Sequence, residues 1–195
     1  MAQEIANKKV AVLVENGFEQ VELTEPVQAL KEAGAEVHII STQQKVRGWK
    51  FTEWGDEFKV DVSLENADPN QYDALFLPGG VYNPDKLRTH QKAIDFARHF
   101  TTSGKPVGAI CHGPILLIET GFLKGRNLTS YPSIKTDIIN AGGHWTDKEV
   151  VVDKGFVTSR KTDDIPAFNK KLIEEIAEGK HKRELADLKT ENINF

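Results

Sequence analysis

KPVGAICHGPILL, residues 105–117, decides the fold: an apolar run ends at Ile110, then Cys111, His112, Gly113 and Pro114 intervene before a second apolar run. Four small or branched apolar residues, Val107 to Ile110, read as a buried strand. Gly113 and Pro114 read as the opening of a helix, because Pro is tolerated in a first helical turn. Cys111 therefore falls on a strand-to-helix elbow, with helix expected from His112 and Gly113. Backbone N–H groups and the positive end of a helix favour thiolate over thiol at such a place. Cys111 is the only cysteine in the 195-residue chain, and this context predicts a nucleophile rather than a core thiol.

Working outward, further strand-like runs occur at Val10 to Val14, Val37 to Ile40 and Ala74 to Leu77, separated by helical patterns. That alternation predicts βα units around a mostly parallel sheet. Val21, Leu23, Val27, Leu30 and Ala33 recur near helical spacing, with Gly34 as a C-cap. A second helix is expected from Asp85 through Phe100. Residues 47–62, with Trp49 and Trp54, read as an irregular turn with a small strand or hairpin, its tryptophans either an oligomer contact or a cover over the sheet edge. Ile134 to Asn140 reads as a short helix, Glu149 to Asp153 with Phe156 to Ser159 as a late hairpin, and Asp163 to Ile176 as a closing helix with Pro166 in its first turn. The polar stretch from His181 is either a helical extension or a frayed tail.

Open α/β sheets place ligands at the carboxyl ends of their strands, so the residues following each run are the candidates. Glu19, after the first strand, either approaches Cys111 or acts as a carboxylate at a helix N-terminus. Pro78-Gly79-Gly80 is by itself a turn; beside an elbow cysteine, one N–H there and one after Cys111 would surround an oxyanion. His112 needs a carboxylate to orient it, since neighbouring side chains at an elbow diverge; Asp85 is the candidate, or else an N-cap of the following helix. Gly113 keeps the elbow open and is counted with Gly79 and Gly80 as pocket or oxyanion residues.

A net charge of −4 argues against a nucleic-acid or anionic-membrane binder, and no run reaches the eighteen apolar residues of a membrane span. The opening MAQEIANKKV runs straight into a strand rather than a cationic-then-apolar leader, and a lone cysteine cannot form an internal disulfide. The expected compartment is the cytoplasm. There is no GxGxxG after the first strand, no phosphate loop and no HExxH pair. His38, His90, His99, His112, His144 and His181 lack the spacing of metal ligands, so neither cofactor nor metal is expected.

The Cys111-His112-Gly113-Pro114 elbow, Phe18-Glu19, Leu77-Pro78-Gly79-Gly80, residues 140–143, and the pair 149–153 with 157–160 resemble the PfpI family of intracellular cysteine peptidase-like proteins, within the class I glutamine amidotransferase-like superfamily. The resemblance runs from Lys8 to Ile176. It implies a flavodoxin-like three-layer α/β sandwich with a nucleophile elbow, occupying residues 8–177 ahead of a polar C-terminal extension, 178–195. It implies Cys111 as nucleophile, His112 as its neighbour, Glu19 as the glutamate contacting the nucleophile, and Asp85 as the acid that orients the histidine from an adjacent subunit. A homodimer or larger homo-oligomer with the site near a subunit interface follows, although Asp85 is one methylene shorter than the Glu of archetypal peptidases. The related amidotransferases use a downstream His-x-Glu; here His144 is followed by Trp145-Thr146. The expected function is a stress-related cysteine hydrolase acting on peptide, amide or glycated-adduct carbonyls. The alternatives are a cofactor-independent glyoxalase converting methylglyoxal to lactate, and a non-catalytic chaperone or cysteine redox sensor.

Overall fold

In the computed structural model the described residues are 4–182. In chain order the elements are β1 (Lys9–Leu13), β2 (Phe18–Glu19), α1 (Gln20–Glu32), β3 (Glu36–Ser41), β4 (Lys45–Lys50), β5 (Glu53–Lys59) and β6 (Val62–Ser63). Then follow β7 (Ala74–Leu77), α2 (Tyr82–Leu87), α3 (Gln91–Ser103), β8 (Val107–Ile110), α4 (Ile115–Glu119), β9 (Asn127–Leu128) and α5 (Lys135–Asn140). The chain continues through β10 (His144–Trp145), β11 (Val151–Asp153), β12 (Phe156–Ser159) and α6 (Ile165–Glu178).

Seven strands form one sheet in the order β11-β12-β8-β7-β1-β3-β6, parallel except for the antiparallel β11–β12 hairpin. Its central strands are buried on both faces, which is why they read as unbroken apolar runs. Successive side chains alternate between two cores. Ala11, Leu13, Leu75, Leu77, Val107 and Ala109 face the core covered by α2 to α5, while Val10, Val12, Ala74, Phe76 and Ile110 face the one covered by α1 and α6. Gly108 falls on the α6 side, where an added Cβ would lie 2.9 Å from Leu172 Cδ1 and 3.0 Å from the Phe168 ring; its missing side chain lets α6 settle onto β8. The result is the expected three-layer α/β sandwich.

The helix read as Asp85 through Phe100 is two helices, broken at Arg88 to His90, with His90 in extended conformation ahead of α3. Asp85 is therefore inside α2 and not its N-cap, which is Val81. Residues 45–59 form an antiparallel hairpin that joins β2 in a small sheet of its own, with Trp49 and Trp54 packed edge to face at 5.2 Å. Helix α4 starts at Ile115 and not at His112, because residues 111–114 first make a tight turn closed by Gly113 N–H donating to Ile110 O. The tail from 183 onward lies outside the described residues.

The loops after β1 and β7 are tied together by Asn83, which is fully buried. Its Oδ1 accepts from Glu15 N–H at 2.7 Å, and its Nδ2 donates to Pro78 O at 2.9 Å and Gly79 O at 3.0 Å. Glu15 is itself buried, its carboxylate accepting from Ser41 Oγ, Thr42 N–H and Thr42 Oγ1. Asn83→Ala strands one N–H and two carbonyls away from water. It should cost about 2–4 kcal/mol in denaturant unfolding, whereas Asn70→Ala, on an exposed turn, should change stability by less than about 0.5 kcal/mol.

Candidate active site

Cys111 follows directly on the carboxyl end of β8, between β7 and β12, and takes a left-handed backbone with φ of 60°. That conformation is costly for a residue with a Cβ. It is held by Cys111 N–H donating to Ser159 O at 3.0 Å and by Tyr131 N–H donating to Cys111 O at 2.9 Å. The turn aims the thiol back over the sheet edge, and Cys111 is only 7% exposed.

Four groups converge on the sulfur. His112 Nδ1 lies 3.2 Å from Sγ; the left-handed turn at Cys111 brings together side chains that in regular backbone would point apart. The Glu22 carboxyl and the N–H groups of Gly80 and His112 also face the sulfur. Space here is set by glycine: a Cβ on Gly79 would sit 2.3 Å from Glu22 Oε2 and 2.5 Å from Cys111 Cβ. One on Gly80, whose φ is 76°, would sit 2.4 Å from Gly17 O.

The carboxyl against the sulfur is thus Glu22 and not Glu19. Glu19 is the residue before α1, and its carboxyl meets the backbone of Phe51 and Gln20. Three residues on, the first turn of α1 rotates Glu22 inward to 1% exposure. The sequence did carry a signal: Glu22, Pro26 and Leu30 recur every four residues, the buried stripe of α1.

Burial pushes the Glu22 carboxyl from 4.5 up to about 8, against the opposing pull of the Gly79 and Gly80 N–H groups. Its Oε2 has no partner of ordinary hydrogen-bond geometry, and the groups that approach the carboxyl are the Cys111 thiol and the Gly79 and Gly80 N–H groups. Burial, and then negative charge on Glu22, push the Cys111 thiol up, while the Gly80 and His112 N–H groups pull it down. The elbow therefore does not lower the thiol unaided, as the sequence suggested, because the cysteine is largely buried and α4 begins too late to contribute its N-terminus. Near neutral pH Glu22 keeps its proton, which removes the repulsion and leaves an acid O–H able to donate to sulfur. The pair then holds one negative charge at most.

His112 is buried, and desolvation holds its imidazole below the ordinary value, hence neutral. The Tyr131 ring stacks on it, centroids 4.9 Å apart and 24° between planes. Its Nε2 lies 2.9 Å from Ser133 Oγ. Ser133 was not anticipated; it sits 21 residues further on, in the turn before α5, and nothing local in the sequence marks it. Asp85 is exposed on α2, and among the described residues no hydrogen bond or ion pair joins it to His112. Gly113 lines no oxyanion position: its N–H is engaged by Ile110 O, and a Cβ there would meet Leu77 O at 2.5 Å. Arg160, another residue at a strand end, is held by Asp147 and Asp164.

These features, an elbow cysteine with a buried glutamic acid and a neighbouring histidine on a seven-stranded sheet, accompany a match of residues 8–175 to the DJ-1/PfpI family. The chain belongs to the DJ-1/PfpI family. It is 45% identical over 169 residues to YraA of Bacillus subtilis, provisionally named a cysteine protease, covering 86% of this chain and 97% of that protein. It is 46% identical over 165 residues to Deglycase PfpI of Pyrococcus furiosus, covering 85% and 97%. A crystal structure of a two-domain protein from Anabaena variabilis, with DJ-1/ThiJ/PfpI-like and ferritin-like domains, superposes with a TM-score of 0.82 at 34% identity. The match covers 87% of this chain and 48% of that one. No helix among the described residues is long and apolar enough to cross a membrane.

The raised Glu22 has a consequence for this DJ-1/PfpI chain that stability measurements read directly. Between about pH 4.5 and 8 the unfolded carboxyl is ionised while the folded one keeps its proton, so this group's contribution to stability falls as pH rises through that window. Glu22→Gln should therefore gain stability over wild type progressively from pH 4.5 to 8 and level off above, with a ceiling of about 5 kcal/mol. Urea unfolding at several pH values reads the difference.

Proposed function

We propose that this chain is a cysteine-dependent hydrolase in which Cys111 attacks the carbonyl of a peptide, amide or glycated adduct. The observation that carries the reading is the convergence on Cys111 Sγ of His112 Nδ1 at 3.2 Å, the Glu22 carboxyl, and the N–H groups of Gly80 and His112. The deglycase name of the Pyrococcus furiosus relative supports the substrate class. A cysteine only 7% exposed favours small acyl or adduct groups over long folded segments.

With an acyl substrate, the thiol proton passes to His112 Nδ1 while sulfur bonds to the carbonyl carbon. The carbonyl electron pair becomes an oxyanion near the Gly80 and His112 N–H groups. Collapse expels the amine, which leaves with the proton from His112, and a thioester remains. Water, deprotonated by His112, adds to the thioester carbon; the thiol departs reprotonated and the carboxylic acid is released. Ser133 is the positioning residue of this scheme: accepting from His112 Nε2–H, it leaves the Nδ1 lone pair free to take the thiol proton. This arrangement lies within one chain, whereas Asp85 would need a second copy to reach the histidine.

One observation favours a second reaction. A buried carboxyl titrating at about 8 both gives and takes a proton near neutrality. With a 2-oxoaldehyde, sulfur adds at the aldehyde to give a hemithioacetal, and the C1 proton is removed and one returned at C2. The resulting 2-hydroxy thioester is cleaved by water to a hydroxy acid, which is glyoxalase chemistry at the same residues.

Turnover of methylglyoxal and release of free amine from glycated amino acids should be followed in parallel for wild type and Cys111→Ala. Amine and hydroxy acid released one to one from preformed adducts, faster than free methylglyoxal is converted and lost in Cys111→Ala, is the expected result; cysteine-dependent lactate from methylglyoxal with no faster amine release selects the glyoxalase. Activity retained by folded Cys111→Ala contradicts both. Ser133→Ala should lower kcat about tenfold with little change in KM, Ser133→Thr should restore it, and Asp85→Ala should change kcat less than Ser133→Ala does.

A further inference from the structure

At the other end of the sheet, Glu175, Glu178 and His181 bring one ligand atom each to within 4.8 Å of one another. Glu175 is nine-tenths buried on the last turn of α6, and its Oε2 lies 3.1 Å from His181 Nε2. Both atoms are shut off from solvent, and neither has a partner of hydrogen-bond geometry. The two form an ion pair whenever His181 is protonated, but they are not aligned as donor and acceptor, so no hydrogen bond occupies either atom. Ligands about 2.0–2.1 Å from a tetrahedral Zn²⁺ lie about 3.3 Å apart, close to the 3.1 Å between Glu175 Oε2 and His181 Nε2, and the Glu178 carboxylate has to draw in from within 4.8 Å. Glu178, exposed on the rim, completes the set and leaves a path for entry.

The surroundings fix this geometry. Gly179 ends α6 with its N–H donating to Glu175 O, and His181 N–H donates to Gly104 O at 2.9 Å, returning the chain against the turn between α3 and β8. A Cβ on Gly104, whose φ is 77°, would lie 2.3 Å from His181 O. The Gly155 N–H faces the Glu175 carboxyl from the β11–β12 turn. Two carboxylates and a neutral imidazole would balance the charge of one divalent cation. Histidine spacing alone did not reveal the cluster, because two of its three members are glutamates on a helix.

We propose that Glu175, Glu178 and His181 form a binding site for a divalent metal of Zn²⁺ type, which clasps the segment following α6 to the α3–β8 turn. Three protein ligands leave one position for water, and N/O donors of this kind suit zinc rather than calcium or magnesium. The site lies near the start of β8, and Cys111 follows its end, roughly 13 Å away at the rise of a strand. It is separate from the cysteine chemistry and stands or falls without it.

The test uses the full chain carrying Cys111→Ala, so that the thiol cannot bind metal, and titrates Zn²⁺ by calorimetry. One equivalent per chain is expected, with a rise in Tm on binding. Co²⁺ in place of Zn²⁺ should give the intense visible bands of tetrahedral coordination. His181→Ala should lose the Co²⁺ bands and weaken Zn²⁺ at least tenfold. The isosteric Glu175→Gln should also weaken Zn²⁺ at least tenfold, which guards against a loss caused by misfolding. No stoichiometric Zn²⁺ binding by the parent, or binding unweakened in His181→Ala, overturns the proposal.

Discussion

A cysteine at φ of 60° is the constraint on which the rest of the site depends. A left-handed backbone costs a residue with a Cβ about 1–3 kcal/mol, and here it is offset from both sides. β12 takes the Cys111 N–H and the segment before α5 supplies the Tyr131 N–H to its carbonyl. The same turn folds His112 back onto the thiol, and it forces neighbouring chain to be glycine. Gly79 is pressed against Cys111 Cβ and Glu22, Gly80 against the loop after β1, and Gly113 against the ends of β7 and β8. The loops at the carboxyl edge are thus one packed unit, with Asn83 and Glu15 as the buried polar links that hold it.

From that geometry follows the electrostatics. Sulfur and carboxyl are both removed from water, and two adjacent negative charges in such a place are prohibitive. The outcome is a shared proton: Glu22 remains an acid to about pH 8, and the Gly80 and His112 N–H groups can stabilise a single charge on sulfur or on a substrate oxygen. A neutral His112, fixed by Ser133 and covered by Tyr131, completes a set of groups poised to move protons and not merely to hold charge.

The sheet was legible because its central strands are buried on both faces and so appear as short apolar runs, and because Gly-Gly and Cys-His-Gly-Pro interrupt them at the strand ends. Gly79, Gly80, His112 and Cys111 could be found in this way. Glu22 was missed in favour of Glu19 because both follow β1 and only the helical turn between them decides which points inward. Ser133 could not be found from sequence, since its contact depends on the path of the chain between β9 and α5. The break between α2 and α3 was hidden because Leu87, Ile94, Ala97 and Phe100 all face one core across it. Asp85 follows the glycine loop in sequence, but its own helix directs it to solvent.

The measurement that tests the shared-proton account most directly is the pH dependence of Cys111 alkylation by a small reagent, compared between wild type and Glu22→Gln. The account predicts a coupled, two-step profile in wild type, with one inflection near the Glu22 value of about 8, and a single step once the titrating neighbour is gone. Superimposable profiles would mean that Glu22 does not titrate against the sulfur, and would contradict it.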